Sequence, residues 1–298
     1  MTGIERVGVV GCGLMGAGIA EVCARAGLPV TVVERDAQAA RSGRLRITRS
    51  LDRATTHGRL TKERRDSAAG LITVTDAMEA LHDRDLVIEA VAEDERLKLE
   101  VFTRLDSVLT DDHALLATNT SSIPVIRLAA ATTRPAQVVG VHFFNPVPVL
   151  PLVELVPSLL TSADTVTRAE AFVTGGLGKE VVRTRDRAGF VVNALLVPYL
   201  LAAVRMVEAG GASVGDIDRA MVLGCAHPLG PLALTDLIGL DTTRAIAESL
   251  YAEFREPQYS PPPLLSRMVE AGLLGRKSGR GFHTYPDTGG TAVPADRP

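Results

Sequence analysis

Along the first half of the chain one pattern repeats: a short unbroken apolar run, then a longer stretch with apolar residues every three or four positions. The runs are RVGVV (6–10), PVTVVE (29–34), LITVT (71–75), DLVIEA (85–90), ALLAT (114–118) and VVGVHF (138–143). Runs this short that do not alternate with polar residues predict strands buried on both faces, and the helical stretches between them predict a parallel sheet covered on both sides. PLVELV (151–156) and KEVVRT (179–184) predict closing strands, with a helix over 162–176 opened by Ser162. After about residue 186 strand patterns nearly vanish, and helices are predicted over 188–210, 213–223, 231–238, 241–254 and 262–271. The expected architecture is an α/β domain with a mostly parallel sheet over 1–186, then an all-α domain over 187–285. GRKSGRGFHTY (275–285) reads as a glycine-rich turn region, and 286–298 has the composition of a flexible tail.

The first turn of this pattern carries chemistry. Gly11, Gly13 and Gly16 stand in G-x-G-x-x-G spacing directly after a predicted strand and at the start of a predicted helix. Gly11 allows a tight turn, Gly13 lets a pyrophosphate approach the backbone, and Gly16 lets helix and strand come close. The helix start offers unpaired N–H groups to the phosphates, with Leu14 and Met15 on the same surface. Glu34, at the end of the second strand, suits the hydroxyls of an adenosine ribose and repels a 2′-phosphate, which favours NAD. Arg35 beside it leaves NADP open.

VHFFNPVPVLPLVELVP (141–157) is almost wholly apolar yet holds His142, Asn145 and Glu154. A nicotinamide enzyme that oxidises an alcohol needs a base for the hydroxyl proton, and histidine titrates in the right range. A carboxylate on the far ring nitrogen would fix the tautomer and stabilise the imidazolium. His142 lies at the carboxyl end of a predicted strand, where open α/β sheets bind ligands. Pro146, Pro148 and Pro151 forbid a helix between it and Glu154 but permit a turn that returns the next strand alongside. Taken alone, His142 reads as a hydrogen-bonded structural histidine and Glu154 as the exposed end of a strand.

Composition removes several alternatives. With 298 residues, 46 % of them hydrophobic, the chain fills one large or two ordinary domains. A net charge of −3 argues against a nucleic-acid or anionic-membrane partner. The three cysteines, Cys12, Cys23 and Cys225, show no metal-ligand spacing and read as reduced thiols, so no metal is expected. The N-terminus has no basic start followed by an apolar core, and the longest apolar run (189–204) is broken by Asn193 and Pro198 and falls short of a membrane span. The expectation is a soluble, cytoplasmic protein.

The glycine loop, NTSS (119–122), HFFNPVPVLPLVELV (142–156), GFVVNALLVPY (189–199), HPLGPLALTDLIGLD (227–241) and GRKSGRGFHTY, in this order, resemble the L-3-hydroxyacyl-CoA dehydrogenases. The likeness covers roughly residues 4–285 and is closest to the short bacterial 3-hydroxybutyryl-CoA dehydrogenases. It implies a Rossmann-type domain, then a helical domain that makes a homodimer interface and closes the cleft. It further implies NAD-dependent interconversion of hydroxyacyl and ketoacyl thioesters in fatty acid metabolism. By motif position, His142 is the implied general base and Glu154 its partner; Ser121 bonds the reacting oxygen, and Asn193 holds the thioester or that oxygen. Asn145 and Ser121 would meet the nicotinamide amide and ribose, and Glu93 and Lys98 the cofactor. Beside these roles stand blander ones: Ser121 as a helix cap, Asn193 as a buried amide, Glu93 and Lys98 as a solvated helix start.

Two departures bear on substrate. Ser50 occupies the family's serine on the arm that holds the CoA nucleotide, but the lysine expected seven residues later is His57, a weaker phosphate partner. Residues 41–65 nevertheless hold nine basic residues against Asp52 and Glu63, a patch suited to phosphates or to an acidic acyl carrier protein. Many relatives also carry a lysine where this chain has Pro151. PLVELVP is similar to the L-gulonate dehydrogenase and lambda-crystallin branch, which keeps open a small hydroxy acid substrate and a non-catalytic NAD-binding role.

Overall fold

The apolar runs form the strands of one sheet in the computed structural model, which describes residues 3–285 and 293–294. These strands are β1 Val7–Val10, β2 Val30–Val33, β3 Ile72–Thr75, β4 Leu86–Glu89, β5 Leu115–Thr118, β6 Val138–Phe143, β7 Leu152–Pro157 and β8 Glu180–Arg183. Their spatial order is β3-β2-β1-β4-β5-β6-β7-β8. Every neighbouring pair is parallel except β6 and β7. The order reverses between β1 and β4, and a ligand crevice opens beyond the carboxyl ends of the strands at such a point.

The strands read as unbroken apolar runs because both faces are buried. Val9, Val32, Ile88, Val139, Val141 and Leu155 face one core, and Val10, Val33, Val87, Leu116, Val138 and Val156 face the other. The first core is closed by α1 (Leu14–Arg25), α2 (Ala37–Thr56) and α6 (Ala163–Ala171), and the second by α4 (Glu95–Val108) and α5 (Val125–Ala130). Side chains that take up the first N–H groups start these helices: Asp36 accepts from Ala39 at 2.7 Å, Asp94 from Leu97 at 2.8 Å and Ser162 from Thr165 at 3.1 Å. Thr61 similarly opens α3 (Lys62–Gly70), a helix the apolar pattern did not suggest. Asp186 caps α5 from a distance, accepting the N–H groups of Val125 at 2.7 Å and Ile126 at 2.8 Å.

The chain divides into two units, Met1–Phe190 and Val191–Pro298. The boundary expected at 186 thus moves four residues on, because Phe190 is buried in the second core of the first unit. The helix expected from 188 begins at Val192, since Gly189 (φ 74°) and Phe190 (φ 49°) are left-handed and cannot belong to it. The second unit contains α7 (Val192–Glu208), α8 (Val214–Cys225), α9 (Pro231–Ile238), α10 (Leu240–Phe254) and α11 (Pro263–Glu270). Two buried aspartates tie its last segment down. Asp218 accepts the N–H groups of Leu232 and Ala233 at the start of α9 and lies 2.7 Å from His283 Nε2. Asp236 accepts from the N–H groups of Phe282 and His283 and from the Tyr285 hydroxyl, so the glycine-rich segment is fixed rather than loose. A short strand β9 (His283–Thr284) pairs with β10 (Val293–Pro294); the rest of the expected tail lies outside the described residues. Among the described residues no helix is long and apolar enough to cross a membrane, and no group of three His, Cys, Asp or Glu could hold a metal ion.

Candidate cofactor and active site

The three loop glycines do different work. A Cβ on Gly11 (φ 90°) would stand 2.7 Å from the Ala90 carbonyl oxygen, and one on Gly16 would stand 1.9 Å from that of Gly11. Both positions are filled by the protein's own backbone. Gly13 has nothing within 4 Å of its missing Cβ, and α1 begins at it with no side-chain cap. Bare backbone, open space and uncapped N–H groups together make an anion cradle that fits a pyrophosphate. Beside it lies a cavity of about 560 Å³ lined by Gly11, Gly13, Glu34, Asp76, Ala92 and Arg104. Glu34 receives the Cys12 N–H at 2.7 Å and the Arg35 N–H at 3.1 Å, which hold its carboxylate at this cavity. The exposed Arg35 guanidinium is paired with Asp36. Cys12 is buried against Gly43 of α2, and burial together with the Glu34 carboxylate pushes its thiol up to about 12.

The next strand end holds a buried charged cluster that sequence reasoning saw only in part. Lys98, expected at the cofactor or on a solvated face, is 1 % exposed. Its ammonium lies 2.6 Å from Glu89 and 3.2 Å from Glu93. Glu89, the last residue of β4, was not anticipated as a site residue. It also accepts the Val91 N–H and the Thr118 hydroxyl, both at 2.7 Å. Glu93 accepts from the Thr120 hydroxyl at 2.6 Å, the Ser121 N–H at 2.9 Å, and both the N–H and hydroxyl of Ser122. Burial pushes the Glu93 carboxyl up, but Lys98 and these donors outweigh it and hold it below the usual range. Ser121 is therefore in a turn stitched to Glu93, and α5 starts later, with Pro124 rather than Ser121 at its cap position. Asn119 anchors the same turn to β6, its Oδ1 accepting the Phe143 N–H at 2.8 Å.

His142 and Glu154 face each other directly across the antiparallel β6–β7 pair. His142 Nδ1 lies 2.8 Å from Glu154 Oε2, with the two residues 6 % and 0 % exposed. Glu154 is thus a core carboxylate, not the exposed strand end it resembles when read alone. The pair occupies the face that holds Val138 and Val156 because side chains alternate along a strand. Gly140 makes room for α5 on that face: a Cβ there would stand 2.8 Å from Val156 and 3.0 Å from Val125. The rings of Phe144 and Phe190 pack on the imidazole at centroid distances of 4.6 and 5.5 Å.

A second cavity of about 380 Å³ in the same unit is lined by Ser50, Arg53, His57, Arg59, Arg25 and Asn145, among others. Asn145, expected at the nicotinamide, and Leu14, expected on the pyrophosphate surface, both line this cavity. Met15 is half-buried against the first core. His57 spends Nδ1 on the Arg53 carbonyl at the end of α2, 2.7 Å away. Of the basic run, Arg44 bonds the Ile72 carbonyl, Arg46 the Cys12 carbonyl and Arg65 Asp52, while Arg53 and Arg59 line the cavity. Lys179 is buried and donates to the carbonyls of Val147 and Leu150, pinning the loop that joins β6 to β7. Asn193 lies in the first turn of α7, in the second unit.

The sequence descriptions of known families bear on this arrangement. The 3-hydroxyacyl-CoA dehydrogenase NAD binding domain matches residues 6–187, and the 3-hydroxyacyl-CoA dehydrogenase C-terminal domain matches residues 189–285. The chain is 61 % identical over 282 residues to a 3-hydroxybutyryl-CoA dehydrogenase of Mycobacterium tuberculosis, covering 95 % of this chain and 99 % of that protein. Among solved structures, M. tuberculosis FadB2 superposes with a TM-score of 0.94 at 60 % identity, covering 95 % of this chain and 99 % of its own. The (S)-3-hydroxybutyryl-CoA dehydrogenase PaaH1 from Ralstonia eutropha does so with a TM-score of 0.90 at 43 % identity, covering 95 % and 100 %.

Proposed function

The chain belongs to the 3-hydroxyacyl-CoA dehydrogenase family, and from that premise we propose that His142 and Glu154 form the general base of an NAD-dependent dehydrogenase that interconverts L-3-hydroxyacyl-CoA, foremost 3-hydroxybutyryl-CoA, and the 3-ketoacyl form. The observation that carries this reading is the buried 2.8 Å contact between the two side chains at the carboxyl end of β6. With Nδ1 engaged by the carboxylate, Nε2 is the ring nitrogen left to accept the hydroxyl proton of substrate. Glu154 then stabilises the imidazolium in a site walled by Phe144 and Phe190, where charge interactions are stronger than in water. In the reverse direction the imidazolium returns the proton to the developing alkoxide. NAD, when bound, supplies the hydride acceptor; the Gly13 cradle would hold its pyrophosphate and Glu34 its adenosine ribose.

Ser121 is assigned the reacting oxygen by the family resemblance, and the Glu93 bonds to its turn, with Asn119 linking that turn to the residue after His142, support the assignment. Asn193 is assigned the thioester side of substrate on the strength of the family resemblance. The arginines of the second cavity, with Ser50 and His57, suit the phosphates of the CoA nucleotide, so the missing lysine does not leave that end without positive charge.

Oxidation of NADH by acetoacetyl-CoA, followed by absorbance, tests the base assignment. His142→Ala should lower kcat/KM by about 10³-fold, the scale of losing a positioned general acid–base, with NADH affinity kept within about twofold. Glu154→Gln should cost about 10²-fold or more through loss of imidazolium stabilisation, within the range of general acid–base catalysis. A His142→Ala enzyme with the unmodified rate would defeat the assignment.

A further inference from the structure

The base chemistry leaves unused the charged cluster under the turn that carries Ser121. It contains two carboxylates and one ammonium. Glu89 is fully buried and its hydrogen-bond partners are arranged as donors: Val91 N–H and the Lys98 ammonium on Oε1, the Thr118 hydroxyl on Oε2. Thr118 has its hydroxyl oxygen committed to accepting the Thr120 N–H at 3.1 Å, which turns its own proton toward Glu89. These are the surroundings of a carboxylate. Lys98 sits closer to Glu89 than to Glu93, 2.6 against 3.2 Å. Lys98 is shared between the two carboxylates, so the cluster keeps one net negative charge at the carboxyl ends of β4 and β5, on the side of Glu93, whose side chain is 36 % exposed.

The cavity runs from Glu34 at the end of β2 past Gly11 and Gly13 to Ala90, Val91 and Ala92, the residues that join Glu89 to the Glu93 end of this cluster. A dinucleotide whose pyrophosphate rests on Gly13 therefore extends its nicotinamide half along β4 and β5. The oxidised nicotinamide ring is a cation and the reduced ring is neutral. We infer that Glu89 is a charge-setting positioning residue: acting through Lys98, it keeps one net negative charge beside the nicotinamide and biases the site toward the oxidised cofactor. This rests on the NAD reading given above. It does not depend on His142, because it concerns cofactor binding without substrate.

Dissociation constants of NAD⁺ and NADH for the folded full-length protein, by calorimetry and by NADH fluorescence, test it. Glu89→Gln keeps the shape and removes the charge. It should raise the ratio of the NAD⁺ constant to the NADH constant about fivefold to tenfold, the scale expected for one partly buried unit charge. Thr118→Val removes a hydrogen bond to Glu89 but no charge, and should leave the ratio alone, as should His142→Ala. If Glu89→Gln does not fold, Glu93→Gln removes the same net charge from a half-exposed site and should move the ratio in the same direction. Equal weakening of both cofactors, or an unmoved ratio, would mean that the cluster is only structural and would overturn the inference. Failure of the unmodified protein to bind either cofactor would instead overturn the NAD reading.

Discussion

At the scale of single residues, chemistry followed from chemical type where a residue had company in sequence and failed where it depended on burial. His142 and Glu154 were legible because a lone imidazole and a lone carboxylate stand out in an apolar run. Lys98 was expected at the cofactor or on a solvated face, and only the fold puts it between two carboxylates, one of them the fully buried Glu89 at the end of β4. The cysteines show the same dependence. Cys12 and Cys23 are buried, and desolvation, aided at Cys12 by the Glu34 carboxylate, pushes both thiols up to about 12; Cys225 is exposed. Because the thiolate is the reactive form, raised values leave only about one part in 10⁴ of each buried thiol ionised at pH 8. A thiol-specific chromogenic reagent should therefore titrate one cysteine promptly in the native protein and three after denaturation. Prompt reaction of two or three in the folded state would contradict the burial of Cys12 and Cys23.

Elements were legible from apolar periodicity to within a few residues, and the helices between strands marked the sheet as mostly parallel, but the apolar runs themselves did not show which pair is antiparallel. A run of apolar residues reads the same in either direction, and the antiparallel pairing of β6 with β7 comes from the proline-rich turn and from Lys179 holding its carbonyls. Along α1 the same residue type has opposite demands on it. In an exposed helix, glycine to alanine gains about 1 kcal/mol. At Gly16 the added methyl would meet the Gly11 carbonyl at 1.9 Å, so Gly16→Ala should destabilise the protein by about 3 kcal/mol in urea unfolding. Gly13→Ala meets nothing and its φ of −64° suits alanine, so stability should change by about 1 kcal/mol or less while NADH affinity falls as the methyl fills the cradle. Equal stability loss in the two variants would show that the loop's glycines serve folding alone.

For the whole molecule, lowered carboxyls gather in the first unit, whereas the second sets a raised Asp236 against an Asp241 that burial pushes up but Lys277 holds low. In the first, burial pushes Asp85, Glu93 and Asp106 up but is outweighed: by Arg6 and the Glu5 and Arg6 N–H groups at Asp85, by Lys98 and hydroxyls at Glu93, and by the Thr133 N–H and Arg134 at Asp106. Carboxyls held low in the folded state contribute stability that is full above their ordinary values and is lost as pH falls through the lowered ones. In the second unit Asp236 is raised, because burial exceeds the effect of the His283 and Phe282 N–H groups and the Tyr285 hydroxyl. Its contribution has the reverse sign, fully present below the ordinary value and lost as pH rises through the raised one. Hydrogen exchange followed by mass spectrometry between about pH 5 and pH 3 should show β1, β4 and β5 losing protection before α8 and α9. Earlier loss in the second unit would show that other groups dominate its acid response.

The amino-acid sequence alone determined the alternation of elements, the anion-binding glycine loop, the NAD preference marked by Glu34, and the candidate base pair. These depend on local periodicity and on residue types whose chemistry is intrinsic. The tertiary structure alone decided that His142 and Glu154 stand opposite one another, that Asn145 turns to the second cavity, and that Glu89, Lys98 and Glu93 meet beneath the Ser121 turn. Register and burial depend on residues far apart in the chain; Glu89, Glu93 and Lys98 are near in sequence, but only packing with Thr118 and the Ser121 turn, roughly thirty residues on, buries them in one low-dielectric site.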